Sequence, residues 1–331
     1  MSWSYPAGFS ASSAITYANF CQQAYFQYYV LSNVPPDFGY PPFLSFMKLP
    51  PTGCKLLYNI WYNEALWGWD PVYFGYVAAS TTTPGQMIIA IRGTENSEEW
   101  YEDILQSGQV NSPIAGSTGL VHEGFAIIYN GKVGTDGNGL QYYPAQTTGN
   151  PIPPKQNDPS VPLAKVLAGA TAVMVTGHSL GAALAVLLTL DIAINVKVRV
   201  SSYNFASPMV GDPGFASFFN GLIGKQISSN YRIANGMDVA PNLPSNVFYN
   251  PVSPGQTSQE WNYMQVNGYC PIDSGIFSVL SDPHSLSNYV IGLNNLLSAP
   301  VAAMLSQRQA AGLRCIPQWR TKTAEPSERV A

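Results

Sequence analysis

Hydrophobic positions along the first third of the chain follow two spacings, one typical of helices and the other of strands. Residues 14–31 place apolar side chains at helical intervals and predict an amphipathic helix. Residues 71–80 and 85–94 are apolar runs rich in β-branched and aromatic residues, and they predict two strands joined by a turn. The intervening residues 32–53 are rich in Pro and Gly and predict a loop.

The second half of the chain alternates between strand and helix patterns. A short apolar strand at 171–176 is followed by a helix at 180–194 that is apolar on nearly every face, and such a helix must be covered all round. A strand at 196–207, a helix at 213–223 and a strand at 228–236 continue the alternation. The pattern predicts an α/β fold with a mostly parallel central sheet flanked by helices.

Two segments break this pattern. Residues 131–160 hold many Gly, Pro, Gln and Asn residues without periodicity, and they predict a long, flexible surface insertion. Residues 296–331 turn from apolar to polar and predict a loosely held C-terminal extension. We therefore expect a single domain over residues 1–295.

Composition narrows the classes of protein to consider. The 331 residues are 46% hydrophobic and 10% charged, enough for a large core, and the net charge is −4 with no run of Lys or Arg. A nucleic-acid or anionic-membrane partner is therefore not expected. The apolar run at 180–190 is too short for a transmembrane segment, and the first residues lack the features of a signal peptide. Localisation is thus unknown: cytoplasmic by default, with a composition that also suits secretion.

The cysteines do not indicate a metal site. The chain contains four, with no C-x-x-C spacing and no grouping with the three histidines. Four free thiols are slightly favoured over two disulfides, which would need an oxidising compartment. The four are Cys21, Cys54, Cys270 and Cys315.

The densest chemical signal is the stretch "VTGHSLGAALA". Gly177 to Gly181 fits the G-x-S-x-G signature of a nucleophile elbow, and Ser179 stands between a predicted strand and a predicted helix. The glycines permit a sharp turn, and the Leu180 N–H is the expected first oxyanion donor at the helix N-terminus. The alternative reading is a glycine-flanked turn without chemistry.

A nucleophilic serine needs a base, and the order of residues along the chain selects it. His178 adjoins Ser179, and neighbours on a sharp turn point apart. His122 precedes the serine, whereas α/β-hydrolases have the order Ser, then Asp or Glu, then His. Only His284 meets that order.

The acid that orients the base must then lie between Ser179 and His284. Asp238 follows the C-terminal end of a predicted strand, the edge of the sheet where Ser179 also lies. Asp212 also fits the order and remains the alternative.

At these residues the chain resembles the class 3 (fungal, Rhizomucor-like) lipase family over about residues 15–295. The similar segments are "ITYANFCQQAYF", "IAIRGTENSEEWYEDIL", "VHEGF", "VTGHSLGAALA", "FASPMVGDPGFASFF", "YRIANGMDVAPNLP" and "DPHSLSNYV". The resemblance implies an α/β-hydrolase fold and a triad of Ser179, Asp238 and His284. It adds Thr94 as the second oxyanion residue.

The resemblance also implies a short helical lid at residues 97–107. One apolar face would carry Trp100, Tyr101, Ile104 and Leu105, and the opposite face is acidic. An ordinary amphipathic surface helix is the alternative. Departures from the family are Met209 where Arg often follows Pro, the cysteine pattern, and the 131–160 and C-terminal segments.

The activity that the resemblance implies is hydrolysis of carboxylic esters, with triacylglycerols first and a transient lipid–water interface as partner. No metal or organic cofactor is expected. A phospholipase A1, a short-chain or feruloyl-type esterase and an acyltransferase are alternatives with the same triad. A non-catalytic lipid-binding relative is a further alternative, which the complete Ser, Asp, His and Thr set disfavours.

Overall fold

A computed structural model describes residues 4–32, 51–63, 69–94, 108–131, 139–146, 151–249, 260–275 and 283–298. The helices are α1 Ala11–Ser32, α2 Glu123–Asn130, α3 Leu163–Val166, α4 Leu180–Asp191, α5 Pro213–Leu222 and α6 Leu286–Ser298, with a π-helical turn Ile192–Val196 and a 3-10 turn Ala240–Asn242. The strands are β1 Cys54–Asn63, β2 Pro71–Ser80, β3 Gln86–Ile91, β4 Gln109–Asn111, β5 Leu120–His122, β6 Gln141–Pro144, β7 Ala172–His178, β8 Arg199–Phe205, β9 Ile227–Asn235, β10 Val247–Tyr249, β11 Glu260–Asn262 and β12 Tyr269–Ile272.

Within these ranges, eight strands form the central sheet, in the order β12-β9-β8-β7-β3-β2-β1-β6. The five strands from β12 to β3 pair in parallel, and β2, β1 and β6 continue the sheet with antiparallel pairs. The predicted mostly parallel sheet is therefore confirmed. The two predicted strands joined by a turn are β2 and β3, which pair antiparallel.

Helices cover both faces of the sheet. Every residue of α4 from Leu180 to Leu190 is buried, as expected for a helix without a polar face. Val173 and Val175 of β7 belong to the same cluster as α4, while α1 and α6 pack on the other face. There the Cys21 Sγ of α1 lies 3.3 Å from the Thr176 Oγ1 of β7.

Seven of the described strands have no counterpart in the sequence prediction: β1, β6 and β12 of the central sheet, and the short strands β4, β5, β10 and β11. Two of them show why. The first, β1, pairs with β2 through two register shifts, which interrupt the alternation that would have revealed it. The second, β6, lies inside the predicted insertion at 131–160, and its Gln141, Tyr142 and Tyr143 are buried. That part of the loop prediction is wrong. The strand gave no signal in the sequence because three consecutive buried residues, here between Leu140 and Pro144, show no period of two.

One strand is shorter than the predicted 196–207. The π-helical turn extends the end of α4 to Val196, and Lys197 then adopts the left-handed conformation with φ of 60°. The chain therefore enters β8 only at Arg199.

The carboxyl ends of the parallel strands lie side by side. The backbone N–H of Ser179, after β7, donates to the Phe205 carbonyl at the end of β8 (2.9 Å). The N–H of Ala206 in turn donates to the Ile233 carbonyl of β9 (3.1 Å). Residues that follow these three strands are therefore brought to one edge of the sheet.

The described helices include none whose length and apolar character would allow it to cross a membrane.

Candidate active site

Ser179 occupies a strained turn between β7 and α4. Its backbone has φ of 58° and ψ of −125°, a conformation uncommon for any residue with a side chain. A Cβ on Gly177 would collide with the carbonyl of Gly181, and one on Gly181 would collide with the carbonyls of Ile91 and Arg92. The two glycines of the G-x-S-x-G pattern thus let the strand, the turn and the helix approach closely enough to hold the serine in this conformation.

A continuous chain of hydrogen bonds joins the three residues selected by sequence order. The Oγ of Ser179 lies 2.8 Å from His284 Nε2, and His284 Nδ1 lies 2.9 Å from Asp238 Oδ2. The exposed fractions are 2% for Ser179, 7% for His284 and 3% for Asp238. Water therefore has little access to these bonds, which makes their electrostatic contribution larger.

Asp238 is held as a carboxylate. Burial alone would raise its pKa, but the neighbouring charge of His284 and the hydrogen bonds from His284, Tyr289 and the Ala240 N–H outweigh burial, and the net pKa is lowered. The Tyr289 hydroxyl donates to the same Oδ2 at 2.6 Å, and the Ala240 N–H donates to Oδ1 at 2.9 Å. An ionised Asp238 accepts a hydrogen bond from the Nδ1–H of His284, so the unprotonated Nε2 is left to accept the proton of the Ser179 hydroxyl.

His178 lies beside His284, with the ring centroids 4.8 Å apart, and it has its own protonation state. Burial, followed by the neighbouring charge of His284, lowers the pKa of His178 to about 3, so its ring is neutral. The His178 Nε2 lies 2.8 Å from the backbone carbonyl of His284, which can only accept. Nε2 therefore carries the proton, and Nδ1 accepts a hydrogen bond from the Tyr25 hydroxyl at 2.9 Å.

The same tyrosine reaches the turn after β3. The Tyr25 oxygen accepts from the Gly93 N–H at 2.8 Å, so one chain of bonds links α1, the β3 turn, the elbow and the backbone of His284. Sequence reasoning missed both Tyr25 and Tyr289. The Tyr25–His178 bond joins positions 153 residues apart, and no local pattern signals such a contact.

The predicted oxyanion residues lie beside the serine. Leu180 opens α4 immediately after Ser179. A Cβ on Gly93 would lie 2.9 Å from the Cβ of Ser179, so the turn that leads into Thr94 packs against the serine. Thr94 is half-buried there. Their donation to an oxyanion remains a prediction.

Other candidates have different positions. Asp212, the alternative acid, caps α5 by accepting from the Phe215 N–H at 2.7 Å, and His122 accepts from the Gly124 N–H at the start of α2 (3.1 Å). Met209 is buried. The predicted lid residues Trp100, Tyr101, Ile104 and Leu105 lie outside the described residues, as does Cys315. The three described cysteines are free thiols.

Comparisons with known proteins find lipases and phospholipases among the proteins similar to this chain. The family described as Lipase (class 3) matches residues 88–248, which include Ser179 and Asp238. Phospholipase A1-II 1 of Oryza sativa subsp. indica is 28% identical over 196 residues, covering 55% of this chain and 47% of that protein. Secreted mono- and diacylglycerol lipase MDL3 of Malassezia globosa is 40% identical over 79 residues, 24% of this chain and 25% of that protein.

A solved structure supports the fold. The nonglycosylated LIP2 lipase of Yarrowia lipolytica is 19% identical, covers 82% of both chains and superposes with a TM-score of 0.53. The chain spans about half the length of the rice phospholipases that it matches. The fold is the α/β-hydrolase fold, and residues 88–248, just under half of the chain, match the class 3 lipase family.

Proposed function

We propose that this chain is a serine carboxylic-ester hydrolase that acts on acylglycerols, with triacylglycerols as the first candidates. The observation that carries the proposal is the buried hydrogen-bonded chain from Ser179 through His284 to Asp238. A turn without chemistry would have no need of a strained serine whose hydroxyl is bonded to a histidine that a carboxylate orients.

The first half of the proposed reaction acylates the serine. Ser179 Oγ attacks the ester carbonyl carbon while its proton passes to His284 Nε2, and the carboxylate of Asp238 stabilises the imidazolium. The tetrahedral intermediate then collapses: the bond to the alkoxy oxygen breaks, and His284 returns the proton to the leaving alcohol. The acyl group remains on Oγ as an ester.

The second half frees the enzyme. Water takes the place of the alcohol, gives a proton to His284 and attacks the acyl carbonyl carbon. The bond from that carbon to Ser179 Oγ then breaks and His284 returns the proton to Oγ, so the products are a carboxylic acid and the original serine. In both halves we expect the backbone N–H groups of Leu180 and Thr94 to donate to the oxyanion. Each such donor is worth about 3 kcal/mol in related reactions.

Apolar side chains around the acid favour contact with a lipid–water interface. Met237 and Val239, on either side of Asp238, are 44% and 55% exposed. Val247 and Met264 are also exposed. We propose that these four side chains form an apolar rim that meets the lipid surface, and that residues 97–107 act as the lid.

We also propose that residues 1–295 form the single hydrolase domain, with residues 296–331 as an extension.

A phospholipase A1 is the second candidate. The observation that favours it is the similarity to rice proteins named phospholipase A1-II, whereas the Malassezia relative is named a mono- and diacylglycerol lipase. Acid release from triolein, tributyrin and phosphatidylcholine distinguishes the candidates. Triolein cleavage supports the lipase, cleavage of phosphatidylcholine alone supports the phospholipase, and cleavage of tributyrin alone indicates a short-chain esterase.

Substitution of the nucleophile gives the first prediction. Ser179→Ala lowers kcat/KM on the best of these esters by at least about 10⁴-fold, because no other group can form the acyl-enzyme. Ser298→Ala, an exposed serine at the end of α6, serves as the matched control and keeps full activity. Residual turnover of more than about a tenth in a folded Ser179→Ala protein would exclude the mechanism.

Tyr289 gives a prediction about pH. Tyr289→Phe removes one donor from Asp238, so the carboxylate holds the imidazolium of His284 more strongly and the acid limb of the kcat/KM profile moves up by about half a pH unit. Tyr129→Phe is the matched control, because its hydroxyl also donates to an aspartate, Asp191 Oδ2 at 2.7 Å. An unchanged acid limb in Tyr289→Phe, or an equal shift in the control, would show that Tyr289 has only a structural role.

Tyr25 gives a prediction that separates positioning from stability. Tyr25→Phe leaves the Gly93 N–H and His178 Nδ1 without this partner, and we expect a loss of about 1–3 kcal/mol in stability and a fall of about tenfold in kcat with little change in KM. Tyr76→Phe, whose buried hydroxyl donates to the Phe20 carbonyl of α1 at 3.0 Å, should lose stability but keep its kcat. The two variants are compared by denaturant titration and by kinetics well below their unfolding transitions; equal kcat values would contradict a positioning role.

A further inference from the structure

A cleft lies at the amino ends of β8 and β9, whereas Ser179 lies at the carboxyl end of the sheet. Its volume is about 790 Å³, within the range of ligand sites. It is formed where the π-helical turn enters β8 and where the turn after α5 enters β9. The lining residues are Ala193, Ile194, Lys197, Val198, Arg199, Gly224, Lys225, Gln226 and Ser228.

The length of β8 separates this cleft from the candidate active site. Arg199 begins the strand and Phe205 ends it, and the Phe205 carbonyl accepts from the Ser179 N–H. Seven residues of extended chain span about 20 Å. The cleft therefore lies about 20 Å from the reacting atoms at Ser179 and takes no part in the chemical step there.

The charge of the cleft is opposite to that of the chain. The sequence has 15 basic and 19 acidic residues, yet the described residues that line the cleft include Lys197, Arg199 and Lys225 and no Asp or Glu. The sequence shows no run of basic residues because Lys197 and Arg199 come from the connection into β8, whereas Lys225 comes from the turn before β9. The fold nevertheless assembles a local basic site, which the sequence analysis did not predict.

Hydrogen bonds fix the Arg199 side chain and the two turns that carry Lys197 and Lys225. The Arg199 Nε donates to Ser228 Oγ at 2.9 Å, which orients the guanidinium plane. Lys197 is held at φ of 60° with its N–H bonded to the Ile192 carbonyl (2.8 Å). The Gly224 N–H donates to the Ile227 carbonyl (2.7 Å), which closes the turn that carries Lys225.

We propose that this cleft binds a phosphate group, either of a soluble phosphate ester or of an anionic lipid. A guanidinium offers paired donors that match phosphate oxygens, and two ammonium groups supply the remaining positive charge that a doubly charged anion requires. The apolar residues Ala193, Ile194 and Val198 offer a surface for the organic part of such a molecule. The site is independent of ester hydrolysis.

The test compares two triple variants of equal charge. The cleft variant is Lys197→Gln, Arg199→Gln and Lys225→Gln; the control is Lys55→Gln, Lys155→Gln and Lys165→Gln, three exposed lysines outside the cleft. Inorganic phosphate is titrated calorimetrically at constant ionic strength, with chloride as the reference anion. We expect saturable binding to the wild type, at least about tenfold weaker binding to the cleft variant, and no change in the control.

Vesicles identify the source of the phosphate. If the ligand is a lipid headgroup, flotation with phosphatidylcholine vesicles that contain phosphatidic acid should capture the wild type and the control triple but not the cleft triple, whereas any capture through the exposed apolar residues Met237 and Val239 is the same in all three. If such vesicles do not capture the protein through the cleft while phosphate binding is retained, the ligand is a soluble phosphate ester. Because Ser179→Ala should bind phosphate like the wild type, an inactive hydrolase would leave this proposal standing.

Two results would overturn the proposal. One is the absence of saturable phosphate binding beyond that of chloride, and the other is an equal loss in both triple variants, which would indicate unspecific attraction. If the cleft triple does not fold, Lys225→Glu in the exposed turn replaces it. Phosphate binding unchanged by that reversal of charge would equally overturn the proposal.

Discussion

The strained backbone of Ser179 is the constraint on which the candidate site depends. A residue with a side chain at φ of 58° costs on the order of 1–3 kcal/mol. The turn persists because β7 and α4, which is buried from Leu180 to Leu190, fix both of its ends. Gly177 and Gly181 remove the atoms that would otherwise keep strand and helix apart. The result is a serine whose hydroxyl stands beyond the carboxyl end of the sheet, within 2.8 Å of His284.

The two histidines behind this turn have different tasks. Their ring centroids are 4.8 Å apart, so two charged imidazoles would repel each other. Burial lowers the pKa of His178 to about 3 and keeps it neutral, and it serves as a bridge between Tyr25 and the backbone of His284. His284 instead faces the ionised Asp238, which favours its charged form. During the proposed reaction, His284 is therefore the histidine that takes up the proton, while His178 stays neutral.

The sequence predicted features that depend on residues close together along the chain better than features that depend on distant residues. The helices and parallel strands around the elbow follow from local periodicity, and the order of Ser179, Asp238 and His284 along the chain sufficed to select three residues that the structure brings into one hydrogen-bonded chain. The strand β6 escaped because consecutive buried tyrosines at a sheet edge have no period of two. Tyr25 and the basic cleft escaped because each depends on residues from separate parts of the chain, which only the fold brings together.

The most direct test of the account is covalent trapping of the nucleophile. The protein is treated with a fluorophosphonate, digested, and the modified peptide is sequenced by mass spectrometry. We expect a single stoichiometric adduct on Ser179. It should form more slowly at acid pH, because a protonated His284 cannot accept the serine proton. A folded protein that stays unlabelled, or that is labelled at another serine, would contradict the assignment of Ser179 as the nucleophile.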